Sequence, residues 1–391
     1  MQSGTHHRQK RVVIATNSVA YMLNHRRHLI ERLIDEGYYV AVVGGDLPRR
    51  RDDLTALGIP VHEIAAVSGR LSLFTDIKML VQLRRTIAEL APDRVHFFAL
   101  KSICLGKLAL LFTRRTRRPR HIILSFTGLG RIYADDAPLS FAFLRAAFRS
   151  VLKMPISGID ERITVETRAD REQLLADSGQ LSAPIYVTNG TGIETLKPKT
   201  ERSGDEVRFL FASRFLRGKG VLEFLEVART LDAEGIAARF MLAGAVVPDD
   251  RSSVTQSEVD AFLTLPNLTA IGDVLPDEMT AVFEANDVVC LPTTYGEGIP
   301  RTLLEGAAAG CAFIAYEQAG WSETMGAHKD DAGWTVPPGN FDALLDAFRA
   351  AAKNPRATRA AGACARQMIS RSNVSCEFVQ EQYLLAYADA A

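Results

Sequence analysis

The chain has 391 residues and holds 46 Lys+Arg against 46 Asp+Glu, a formal net charge of zero. Apolar residues make up 47% and charged residues 24%, an ordinary globular mixture that excludes a disordered chain, while the balanced charge speaks against a dedicated DNA binder. No apolar run reaches the roughly 18–20 residues of a membrane span, the polar residues 1–11 have no signal core behind them, and five scattered cysteines (Cys104, Cys290, Cys311, Cys364, Cys376) in no CxxC pair predict free thiols in a cytoplasmic setting.

In chain order, short apolar runs alternate with longer amphipathic stretches. Residues 12–15 (Val-Val-Ile-Ala) predict a strand, and the spacing of Leu29, Leu33 and Ile34 predicts a helix behind it. Residues 40–43, 61–64, 94–98, 121–124 and 163–165 continue the strand series. The rhythm pauses over the polar residues 195–206, where Pro198 and Gly204 predict a linker. A second series follows at 207–211, 240–243, 267–271, 288–291 and 312–315. Strands separated by helices imply βαβ units and parallel sheets, so the expected class is α/β with two doubly wound halves. A ligand is expected in a cleft between the halves, where strand carboxyl ends and helix N-termini converge.

Residues 291–310 carry the most chemistry. An apolar strand ends near Leu291, a loop with two glycines follows, and Pro300 stands where the first helical residue is expected. The N–H groups of Arg301, Thr302 and Leu303 would then present the positive end of a helix to a phosphate. Glu305 lies just over one turn inside that helix, and Glu297 sits in the loop before it. The plain alternative is a solvated loop residue and an exposed helix residue. Residues 211–221 place Arg214 after a strand and Lys219 at the start of the next helix, two cations able to neutralise a diphosphate leaving group. In the first half, Thr16-Asn17-Ser18 follows a strand and leads to His25-Arg26. Lys101 follows the strand at 94–98, which holds His96, and Thr127-Gly128-Leu129-Gly130 follows the strand at 121–124. His25 and His96 fit either a site or a hydrogen-bonded structural role. The Thr127–Gly130 stretch is too short for a dinucleotide fingerprint.

Together the glutamate loop, the Arg214/Lys219 pair and the two-half layout resemble retaining glycosyltransferases of the GT-B fold, family 4. Lys219-Gly-Val221 with Phe224, Gly244, Gly272-Asp273, Glu297 with Glu305, and residues 336–339 (Val-Pro-Pro-Gly) fall in that family's order. Residues 16–18, His25-Arg26, 92–96 and 126–130 resemble the subgroup that builds bacterial surface polysaccharides. The resemblance implies two Rossmann-like domains facing across a cleft. Residues 1–198 would bind acceptor, joined by a C-terminal helix (373–391) that crosses back, and residues 199–372 would bind nucleotide-sugar. It implies a retaining hexosyltransferase moving a hexose or N-acetylhexosamine-type sugar from a nucleotide diphosphate, most simply UDP. The acceptor would be a lipid-linked saccharide or glycan in polysaccharide or lipopolysaccharide biosynthesis. By the same resemblance Glu305 would hold the ribose hydroxyls, Glu297 the donor sugar, and Arg214 and Lys219 the diphosphate. Backbone groups of Gly298, Ile299, Pro300, Arg301, Thr302 and Leu303 would contact sugar and phosphates. Those of Val274 and Leu275 would contact the base, with Gly244 also on the donor side. The acceptor side would comprise Thr16, Asn17, Ser18, His25, His96, Lys101, Thr127 and Gly128. No metal and no separate cofactor is implied, because cations and helix N-termini take the role of magnesium. Two departures stand out: Thr16-Asn17-Ser18 replaces the Gly-Gly pair of many relatives, and Thr127 stands where some have histidine. A UDP-sugar epimerase of the same fold and a non-catalytic nucleotide-sugar-binding protein are the alternatives.

The zero net charge is a cancellation. Residues 1–200 hold 30 Lys+Arg against 19 Asp+Glu, and the remainder 16 against 27. Around 138–153, Phe141, Leu144, Phe148 and Leu152 form an apolar stripe flanked by Arg145, Arg149 and Lys153, with Phe143 off the stripe. Phe112 runs into Arg114, Arg115, Arg117, Arg118 and Arg120. This fits peripheral contact with an anionic inner-membrane surface on its cytoplasmic face, and equally an ordinary core helix beside a solvated arginine turn. No aromatic stacking motif accompanies the arginines, so nucleic acid is not expected as a partner.

Overall fold

The computed structural model describes residues 9–45, 51–66, 72–129, 139–194, 204–248, 250, 252–295 and 298–389, with the side chains of 51–53, 139–141 and 327–328 outside that description. The chain forms two compact units, residues 1–192 with 376–391, and residues 193–375.

The first unit runs β1 (Arg11–Ala15), α1 (Val19–Asp35), β2 (Tyr39–Gly44), α2 (Arg51–Ala56), β3 (Val61–Glu63), α3 (Leu73–Leu90) and β4 (Arg94–Phe98). It continues through α4 (Leu100–Leu111), β5 (His121–Ser125), α5 (Leu139–Lys153), β6 (Asp160–Val165), α6 (Arg168–Ser178) and β7 (Ile185–Val187). The strands form one parallel sheet in the order β3-β2-β1-β4-β5-β6-β7. The order reverses between β1 and β4, the switch point at which doubly wound sheets open a crevice at their carboxyl edge. Interior strands are apolar on both faces because helices cover both, as in β1, where Val12, Val13, Ile14 and Ala15 are all buried. One face packs Val13, Ala15, Val95 and Leu124 against Leu83 and Ile87 of α3, Leu110 of α4 and Leu152 of α5. The other packs Val12, Ile14 and Val42 against Leu29, Ile30 and Leu33 of α1.

The second unit runs β8 (Val207–Ala212), α7 (Val221–Ala233), β9 (Ala238–Ala243), α8 (Gln256–Asp260), β10 (Leu268–Gly272), α9 (Met279–Glu284) and β11 (Val288–Leu291). It closes with α10 (Arg301–Ala309), β12 (Ala312–Tyr316), α11 (Ala319–Met325), β13 (Gly333–Val336), α12 (Phe341–Lys353) and α13 (Pro355–Arg371). Its sheet is also parallel, in the order β10-β9-β8-β11-β12-β13. Phe209, Phe224, Phe240 and Phe348 form its aromatic centre, with Phe209 and Phe240 stacked at 5.2 Å.

The final helix, α14 (Cys376–Tyr387), belongs to the first unit. Val379, Tyr383, Ala386 and Tyr387 are buried beside α1, and beyond the helix Asp389 pairs with Lys10 at 2.6 Å and with Arg94. The chain passes between units at 192/193 and 375/376, where composition places the breaks at 198/199 and 372/373. Ile193 already lies in the second unit's core and donates its N–H to Val374 O at 3.0 Å, so packing claims it before the polar stretch begins. Residues 195–203 of the expected linker lie outside the described residues.

Candidate active site

In the second unit the candidate donor residues gather at the carboxyl edge of the sheet. Exposed Arg214 follows β8, and half-buried Lys219 ends a 3-10 turn (Arg217–Lys219), two residues before α7 begins and so just ahead of the helix start expected for it. The turn is locked against the loop after β11. Gly218 O accepts from Thr294 N at 2.8 Å and from the Thr293 hydroxyl at 3.1 Å. A Cβ on Gly218 would lie 2.9 Å from the Tyr295 ring. One on Gly220, already left-handed at φ +81°, would lie 2.4 Å from Pro292 O. Glycine is therefore required for the two segments to touch. Gly244 is constrained in the same way, since at φ +121° its Cβ would lie 2.0 Å from Ser213 O. The neighbouring Arg217 is engaged by Glu258 at 2.7 Å.

Glu297 lies outside the described residues. Gly298, Ile299 and Pro300 are buried, and α10 starts at Arg301 with Pro300 as its N-cap residue, one position earlier in role than expected. The expectation of three open amides is corrected at one: Leu303 N donates to Pro300 O at 3.1 Å, and the Leu303 side chain is in the core. The Thr302 hydroxyl donates to Ala212 O at 3.1 Å, tying α10 to the end of β8. Glu305 is half-buried and receives Arg301 Nε at 2.6 Å, the partner expected of an i,i+4 pair. Val274 is half-buried, and Leu275 is exposed with its N–H directed at Glu278.

Sequence reasoning missed two residues at this edge. Gln318 donates to both Thr293 O (2.7 Å) and Tyr295 O (2.8 Å), clamping the loop. Glu223 in the first turn of α7 has its carboxyl pushed up by burial, and burial followed by the Glu223 charge raises the Tyr316 hydroxyl at the end of β12. Nothing in the local sequence distinguishes Glu223 from a solvated Glu.

In the first unit, Thr16 and Ser18 are spent on the turn. Thr16 Oγ1 accepts from Ser18 N, and Ser18 Oγ accepts from Tyr21 N at 3.2 Å as the N-cap of α1. Asn17 accepts from the Ser102 hydroxyl at 2.7 Å. Lys101 pairs with Asp76 at 2.6 Å, so its charge is balanced by α3. His25 is half-buried, its ring 4.7 Å from that of Tyr21. Thr127 and Gly128 are half-buried after β5, and the Thr127 side chain hydrogen-bonds the Tyr21 hydroxyl.

His96 is corrected outright. It is fully buried, with Nδ1 2.8 Å from the Tyr387 hydroxyl and Nε2 bonded to Ser125, so it contacts α14 and the sheet and not an acceptor. Alternation along β4 points it to that face, where burial, then the Arg26 charge, holds the ring well below its ordinary pKa. Beside it lies a polar core the sequence did not reveal. Fully buried Arg26 meets Glu166 at 2.6 Å and lies 5.8 Å under the Tyr383 ring, whose hydroxyl bonds Ser125 and Thr164. Through Tyr21, this core underlies Thr127.

The expected membrane stripe on α5 is partly consumed by packing: Phe148 and Leu152 are in the core, and Arg149 faces Asp177 at 3.6 Å. Phe141 lies outside the described side chains, while Phe143 is 77% exposed. Arg118 caps α4 by donating to Thr113 O and Leu111 O. Among the described residues no helix is long and apolar enough to cross a membrane.

Two parallel sheets that each reverse order at a switch point, with helices interleaved, describe a protein of GT-B architecture. Residues 192–368 match the family of glycosyl transferases group 1, and residues 22–189 match the glycosyl transferase 4-like domain. The chain belongs to the GT-B glycosyltransferases of the family 4 type. A stretch of 149 residues is 28% identical to WcaL of Salmonella typhimurium, assigned to colanic acid biosynthesis as a glycosyltransferase. It spans 36% of this chain and 35% of that relative's length. Sucrose-phosphate synthase from Thermosynechococcus elongatus superposes with a TM-score of 0.77 at 17% identity, covering 97% of this chain and 98% of that one. Anabaena HepE in complex with UDP-glucose gives 0.72 at 15%, covering 97% and 100%.

Proposed function

We propose that this glycosyltransferase moves a hexose or N-acetylhexosamine-type sugar, with retention, from UDP to a lipid-linked saccharide during bacterial surface-polysaccharide assembly. The observation that carries the reading is the interlock of the Gly218–Gly220 turn with the Thr293–Tyr295 loop. It sets Lys219 beside the segment that leads into α10 and Glu305. The HepE complex with UDP-glucose supports UDP as the nucleotide, and the WcaL likeness supports a polysaccharide product.

In this reading Arg214 and Lys219 take the charge that develops on the departing diphosphate, with the start of α10 as a third positive element and no essential metal. Glu305 accepts the ribose hydroxyls, held in orientation by Arg301, and Glu297 holds the sugar. The acceptor hydroxyl attacks from the face the diphosphate leaves, without a covalent enzyme intermediate. Thr127 and Gly128, supported by Tyr21, are the acceptor-side residues best placed for contact, and the first unit meets an anionic membrane surface peripherally.

The test is a panel of UDP-, GDP- and ADP-sugars with a lipid-linked acceptor extract, scored by product and by its anomeric configuration in NMR. Transfer from a UDP-sugar with retention is expected. Inversion refutes the stereochemistry, a preference for GDP- or ADP-sugar refutes the nucleotide, and product from donor alone identifies an epimerase.

A further inference from the structure

The exposed apolar cluster of the first unit lies on α3 and not on α5. Met79, Leu83 and Ile87 of α3 are buried and fix its inner face. At its amino-terminal tip Leu73, Phe74 and Ile77 are 73%, 87% and 54% exposed. Three large apolar side chains within five residues are not the scattered singles of an ordinary surface. The exposed residues that follow on the helix are Lys78, Arg84, Arg85 and Glu89, with Arg84 steadied by the Phe112 carbonyl at 3.0 Å. Over the roughly 18 Å from Leu73 to Arg85, the outer surface passes from apolar to basic. The one acid of the first turn, Asp76, is balanced by Lys101 at 2.6 Å, so the tip presents no net negative charge to a lipid surface.

Because α3 follows β3, its tip stands at the carboxyl edge of the first-unit sheet, the edge that also carries residues 16–18 and Thr127. Phe143, early in α5, adds an exposed aromatic at the same edge. An anionic bilayer presents layers in the matching order, hydrocarbon beneath negative headgroups.

We propose that the tip of α3 is the membrane-contacting element of the first unit. Leu73, Phe74 and Ile77 enter the acyl boundary, and Lys78 and Arg85 meet the phosphates of anionic lipid. The purpose of this contact, bringing the acceptor loops to a lipid-borne substrate, rests on the acceptor reading above. The contact itself requires no turnover.

The experiment is flotation of the purified full-length protein with phosphatidylcholine vesicles, with and without phosphatidylglycerol. Binding is expected only with the anionic lipid. It should fall ~tenfold or more in the Leu73→Ser/Phe74→Ser/Ile77→Ser variant, a loss of about 1.4 kcal/mol or more. Lys78→Gln/Arg85→Gln should weaken binding and flatten its salt dependence. Circular dichroism and UDP binding by the second unit check that the variants are folded. Wild-type protein that ignores anionic vesicles, or a triple variant that floats like wild type, overturns the proposal. A triple variant that changes only the oligomeric state on a sizing column also overturns it, in favour of a protein interface. Tip-dependent flotation without any transfer to lipid-linked acceptor would leave this inference standing and remove the acceptor reading instead.

Discussion

Lys219 follows β8 and Glu305 follows β11, neighbouring parallel strands, and each has a role that single substitutions can separate. Lys219→Ala removes a cation from the departing diphosphate and should lower kcat by about 10²–10³ with little change in the unfolding midpoint, read by UDP release against thermal unfolding. Full activity would remove Lys219 from the mechanism. His96 makes a prediction of a different kind. Its folded pKa is depressed, so below its ordinary value of 6.5 the unfolded chain binds a proton that the folded chain refuses. Stability should therefore fall as pH drops through 6.5, by up to about 1.4 kcal/mol per pH unit. Urea unfolding between pH 7.5 and about 5 measures that slope, and His96→Gln should flatten it. An unchanged slope would mean another group controls acid stability. The Arg26–Glu166 pair is costly to break, because removing one partner strands a buried charge. Glu166→Ala should lose about 3–5 kcal/mol in denaturant unfolding.

Among the elements, the strands of both sheets were legible wherever an apolar run is covered by helices on both faces, as at 12–15, 288–291 and 312–315. The edge strands β7 and β13 were not. β7 is three half-buried residues, and β13 opens on Gly333, whose hydrogen in place of a side chain lets the strand sit against Phe313 O. Neither leaves a periodic signal. The donor segments were legible because their glycines and charges follow strands. Their contact was not, since it depends on Gly218 O meeting Thr294 N, a backbone hydrogen bond between residues 76 positions apart in sequence. The first-unit site was read least well: the loop hydroxyls went to turn and cap, and His96 to the core. The glycine lock gives a prediction at this scale. Gly220→Ala must leave φ +81° or push Pro292 away, costing about 1–3 kcal/mol and weakening UDP binding, by thermal unfolding and calorimetry. Retained affinity would mean that the turn and loop need not touch.

At the scale of the whole molecule, the neutral total conceals a basic first unit and an acidic second one, and the first keeps its basic excess after taking in the acidic C-terminal helix. That asymmetry suits a first unit working at a phosphate-rich surface. Helix α14 makes the first unit discontinuous in sequence, so a chain ending at residue 375 would lose Val379, Tyr383 and Tyr387 from the core together with the hydroxyl partner of His96. The central claim is that the carboxyl edge of the second unit is a UDP-sugar site built around Lys219 and Glu305. Calorimetric titration of UDP into wild type, Lys219→Ala and Glu305→Gln tests it most directly. Saturable binding by wild type, weakened ~tenfold or more in each variant, is the expected result; equal affinity in all three proteins, or none in wild type, would contradict it.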